Sequence, residues 1–105
     1  MASIHFICRN GANVNPVRQP IFESGYWDVS PEEGQKLVGG KIYLHQTKAT
    51  PSYFGGRIDS FHTVDTDNAR TKRIVFVLAF LPECKGAKWP GVGHARAWTS
   101  GVIDD

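Results

Sequence analysis

The sequence predicts a mainly β, α+β fold: a small five- to six-stranded, mostly antiparallel β-barrel, open or closed, with one short helix near residues 31–38 packed over an end. Three observations carry this expectation. Short apolar segments alternate with clusters of turn formers along most of the chain. Ser30-Pro31-Glu32-Glu33 has the form of a helix capping box. Ile74 to Leu81 is an unbroken apolar run rich in β-branched residues, as in a strand buried on both faces. Closing a small sheet into a barrel would remove its exposed edges. A flatter α+β sandwich is the alternative arrangement.

The first strand is expected at Ser3–Cys8, and Arg9–Pro20 reads as a loop because Asn10, Gly11, Asn13, Asn15, Pro16 and Pro20 are turn formers. Ile21–Trp27 suits a short extended piece. The helix begins at Pro31, where the missing donor is harmless, and closes at Gly39-Gly40, where glycine tolerates a left-handed conformation. Gly34 weakens it, so Leu37 and Val38 must anchor it on a sheet. Lys41–Gln46 follows as a strand, with Ile42 and Leu44 on one face and Lys41, Tyr43 and His45 on the other. Tyr53–Val64 reads as a long strand interrupted by Gly55-Gly56, a pair that signals a bulge, a bend, or the close approach of ligand or backbone. Asp65–Asn68 is a turn, and Arg73–Leu81 is the strongest strand, ended by Pro82. Cys84–Gly93 is expected to be loop, His94–Thr99 a last short strand, and Asp104 and Asp105 frayed.

A chain of 105 residues, 41% hydrophobic and 21% charged, fits one folded domain over 1–105 and is unlike a disordered polymer. No run approaches the roughly 18 apolar residues of a membrane helix. Cys8 and Cys84 are too few for a disulfide framework. The first ten residues lack the pattern of an export signal, so a cytoplasmic location with reduced thiols is expected. Residues 1–40 hold three basic and four acidic side chains, whereas residues 41–103 hold nine and four. That asymmetry favours an anionic partner.

Four segments together carry a resemblance: Tyr26-Trp27-Asp28-Val29-Ser30, Gly39–His45, Pro51–Ile58 and Arg73–Val77. Their order is a helix ending in glycines, a strand, a loop, a strand carrying Gly56-Arg57-Ile58, a polar turn and an apolar strand. Over roughly residues 26–81 this resembles the PUA-like superfamily, which includes the EVE and ASCH domains. The resemblance implies a barrel with a cleft for RNA, modified DNA bases or nucleotides.

The candidate binding residues are His45, Gln46, Lys48, Ser52, Tyr53, Gly55, Gly56, Arg57 and Trp89. The glycines would let a planar group approach the backbone, and Tyr53 and Phe54 would stack on it. Gln46 and Ser52 would read a base edge, and Lys48 or Arg57 would meet a phosphate. Trp89 sits in a basic loop with Lys85 and Lys88, whereas Trp27 suits the core. Trp27, Trp89 and Trp98 could also build an aromatic cage. No cofactor motif is present, and His5, His45, His62 and His94 lack paired metal-ligand spacing. The expected function is a binding module for nucleic acid or a nucleotide-like molecule. The alternatives are a homodimer or other interaction module using a sheet edge, and a small enzyme in which His45 pairs with Asp59 or Cys84.

Overall fold

The computed structural model describes residues 2–8, 14–27, 29–47, 49–65, 72–89 and 102–104. Seven strands among these residues form one mixed sheet. They are β1 (Ala2–Ile7), β2 (Val14–Arg18), β3 (Ile21–Trp27), β4 (Lys41–His45), β5 (Ser52–Asp65), β6 (Lys72–Phe80) and β7 (Ile103–Asp104). Their order is β2-β3-β6-β5-β4-β1-β7. All pairings are antiparallel except that of β1 with β4, which is parallel.

The sheet is not closed into a barrel. Its order ends at β2 on one side and at the two-residue β7 on the other. It nevertheless curls. The rings of Phe6 on β1 and Trp27 on β3 stack at 4.1 Å between centroids, although β6, β5 and β4 lie between their strands. Side-chain contact across the concave face therefore does what backbone closure would do in a barrel. Ile4, Phe6, Ile42, Leu44, Ile58, Ile74, Phe76 and Leu78 fill that face and are essentially inaccessible. Burying such side chains contributes about 1.5–3 kcal/mol each before chain entropy is subtracted.

Helix α1 (Pro31–Leu37) packs against β1 and β5. Its capping box forms as the local sequence dictates: Glu33 N donates to Ser30 Oγ at 3.1 Å, and Ser30 N donates to Glu33 Oε1 at 3.3 Å. Gly34 faces the Phe61 ring, where a Cβ would sit 3.2 Å from it. Leu37 is fully buried, but Val38 is the exposed C-cap and does not anchor the helix. Gly39 ends the turn with φ +86°, and its N–H donates to Ile58 O at 2.8 Å.

Several boundaries differ from the expectation. Val14–Arg18 is a strand, not loop. Among the described residues only β3 pairs with it, and an edge strand tolerates Pro16, whose missing N–H breaks no central ladder. β5 carries two register shifts, one on each side of the glycine pair: between Ser52 and Phe54 against β4, and between Ile58 and Ser60 against β6. The second shift changes strand parity, so Phe61 opposes Phe76 and packs against the core. Ile103–Asp104 pairs with Ala2–Ser3 where fraying was expected for Asp104. The expected turn at 65–68 begins as strand at Asp65; its remainder, the strand at 94–99 and Asp105 lie outside the described residues. No helix among the described residues is long and apolar enough to cross a membrane.

Candidate functional site

Strand alternation puts His5 on the face opposite Ile4 and Phe6, and His45 on the face opposite Ile42 and Leu44. Parallel pairing of β1 with β4 brings these outer positions together. His5 Nδ1 and His45 Nε2 are 2.7 Å apart, and His45 Nδ1 is 2.9 Å from the carbonyl oxygen of Thr50. A carbonyl only accepts, so His45 Nδ1 carries the proton and donates to Thr50. In the neutral ring His45 Nε2 is then the acceptor, and His5 Nδ1 donates to it. Burial pushes the His45 pKa below its ordinary 6.5, and the bond to Thr50 opposes that shift. Tyr43 stacks on His5 at 4.4 Å, while Trp89 meets the His45 ring edge-on at 5.1 Å.

Trp89 arrives on a strap that follows β6. A 3₁₀ turn spans Pro82–Cys84, and the chain then runs back over β5. Ser52 pins it through four contacts. Its N–H donates to Ala87 O at 2.8 Å, and its carbonyl accepts from Gly86 N at 2.8 Å. Its hydroxyl donates to Cys84 O at 2.5 Å and accepts from Ala87 N at 2.9 Å. Gly86 lies at φ +86°, where a side chain would be strained.

On the concave side, near the start of β5 and the end of β6, an aromatic cleft of about 400 Å³ opens. Pro20, Phe22, Tyr53, Phe54, Phe80 and Lys85 line it, with Gln19 beside them. Phe54 and Phe80 stack at 5.1 Å and 21°, and Phe22 meets Phe54 edge-on at 5.1 Å. These three rings come from β5, β6 and β3. Lys85 Nζ lies 5.6 Å from the centroid of the Phe80 ring. No ion pair neutralises it among the described residues.

The residues expected to share one site are divided. Tyr53 lines the aromatic cleft, and its hydroxyl donates to Cys8 O. His45 is fully buried with both ring nitrogens engaged internally. It contacts neither Asp59, which pairs with Arg57, nor Cys84 as an acid–base partner. Ser52 is likewise buried and structural. Gly55 and Gly56 hold no open slot. A Cβ at Gly55 would lie 2.8 Å from Cβ of Cys84, and one at Gly56 would run into the carbonyl of Ala79. The pair serves close approach by backbone and strap. Gln46 is half-buried beside the Thr47–Thr50 turn. Arg57 points to the convex face beside Lys41, away from Tyr53. Trp89 packs on the histidines. Lys48 and Trp98 lie outside the described residues.

His5, Phe22 and Phe80 were not among the binding residues expected from sequence. The two-residue period of β1, β3 and β6 assigns each to a face, but only the pairing of distant strands reveals their neighbours. Cys8 and Cys84 are buried free thiols, and no group of three potential metal ligands occurs among the described residues. Comparison of the chain with family models, curated proteins and solved structures finds no match.

Proposed function

We propose that this protein is a binding module for a flat, negatively charged guest of the nucleotide type, either a free nucleotide or an exposed base of a nucleic acid. The observation that carries this reading is the aromatic cleft. Three strands contribute Phe22, Phe54 and Phe80 to one opening, and Lys85 stands above Phe80 with no acidic partner among the described residues. Its volume, about 400 Å³, lies within the range common for small-molecule sites. A base stacked on Phe54 or Tyr53 would gain about 1–3 kcal/mol. Its phosphate would meet the Lys85 ammonium. The basic second part of the chain and the PUA-like resemblance point the same way.

Calorimetric titration with adenosine and uridine monophosphates, single-stranded RNA and single-stranded DNA tests the reading. Saturable binding that weakens with salt is expected. Phe54→Leu should weaken it while the chain stays folded, and Lys85→Gln should flatten its salt dependence. Failure of all four ligands to bind would remove the proposal.

A further inference from the structure

The β4–β5 register sets Lys41 directly opposite Arg57 on the convex face. Two like charges in that position repel each other. Both line a second cavity, of about 290 Å³. Lys41, Arg57, Tyr43 and Leu81 wall it, and Gly39-Gly40 and Ala2 complete its lining. A Cβ on Gly40 would run into the carbonyl of Ala2, so only backbone fits there. The stack on His5 fixes the Tyr43 ring.

Both cations have carboxylate neighbours, but neither acid lines the cavity. Glu83 Oε2 is 3.5 Å from Lys41 Nζ, and Asp59 Oδ1 is 3.1 Å from Arg57 Nε. Each contact uses one oxygen. The bond to Asp59 occupies Nε and leaves the two Nη groups of Arg57 for another acceptor. Tyr43 and Glu83 hold the Lys41 pKa above its ordinary value, so its ammonium stays charged. The cavity therefore presents two positive groups of complementary kind, a planar fork and a compact ammonium.

We infer that this cavity binds a phosphate-class anion, free or as a phosphomonoester, between the Lys41 ammonium and the Nη groups of Arg57. Arg57 and Phe54 lie on opposite faces of β5, so this site and the aromatic cleft are separate. Glu83 and Asp59 act as internal competitors for the two cations. They keep the paired charges tolerable while no anion is bound.

Amide NMR titrations with inorganic phosphate and with glycerol 2-phosphate, at constant ionic strength, test it. Saturable shifts at Gly39–Lys41 and at Arg57 are expected. If both ligands bind, the site accepts free phosphate; if only glycerol 2-phosphate binds, the site is for a monoester. Arg57→Gln should weaken binding about tenfold through loss of a charge-assisted contact. Glu83→Gln should tighten it about threefold by removing a competitor, an effect that loss of a merely structural salt bridge would not produce. Phe54→Leu should leave it unchanged. Shifts that never saturate with either ligand, unaltered affinity in Arg57→Gln, or weaker binding in Glu83→Gln would overturn the proposal. Melting curves for each variant separate misfolding from lost binding.

Discussion

His5 donates from Nδ1 to Nε2 of His45 across 2.7 Å, and His45 passes the same polarity on to the carbonyl of Thr50. The two rings are buried, and their hydrogen bonds are satisfied in the neutral form. This relay joins β1 to the loop after β4, and Trp89 of the strap closes over it.

Stability should depend on the protonation of His45. Its folded pKa is depressed by burial, so the unfolded chain binds more protons as pH falls past the ordinary value of 6.5. The contribution of neutral His45 is therefore complete above about pH 6.5 and declines as pH falls toward the depressed folded value. Urea midpoints at pH 7.5 and pH 5 should show this loss in the native chain. His45→Gln should show a smaller difference between the two pH values. An equal difference would disconnect the relay from acid sensitivity.

Ser52 holds the strap with its hydroxyl as well as its backbone. Ser52→Ala leaves Cys84 O and Ala87 N without their side-chain partner. A loss of about 1–3 kcal/mol is expected, as for buried groups left unsatisfied. Hydrogen exchange should locate the damage first at the amide of Ala87.

Gly55→Ala should be destabilising by about 1–3 kcal/mol, the usual range for overpacking. The new methyl would meet Cβ of Cys84 and the carbonyl of Ile42. Chemical denaturation measures it directly. A neutral Gly55→Ala would mean that the strap does not press on β5.

The capping box gives a smaller and more local effect. Ser30→Ala removes the acceptor for Glu33 N and should cost about 1 kcal/mol. A thermal melt detects this, and Ser30→Asp should recover most of it because aspartate is also a strong N-cap.

What could be read from the chain was what a few neighbouring residues decide. Ser30, Pro31 and Glu33 sit within one turn, so their spacing alone sets the start of α1. Alternation in Lys41–His45 likewise assigned each side chain to its face, because parity is local to a strand. Pairing is not local. Nothing near His5 signals that β1 lies parallel to β4, and that single fact brings the histidines together. The shift between Ile58 and Ser60 was hidden for the same reason, since it is set by packing against β6. The glycine pair was legible as a close approach, but not as one made by Ala79 and Cys84 rather than by a guest. Tyr53 belongs with Phe22 and Phe80, and their strands meet only after β3, β5 and β6 have assembled.

The parallel placement of β1 beside β4 has a consequence during synthesis. A ribosome delivers Ala2–Ile7 long before Lys41–His45 and Ile103–Asp104, so β1 emerges before either of its neighbours in the sheet. Closing so long a connection carries an entropic toll that local hairpins avoid, and topologies of this kind fold slowly. Until Leu44 is added, the strand that carries Phe6 lacks the neighbour it pairs with in the folded sheet.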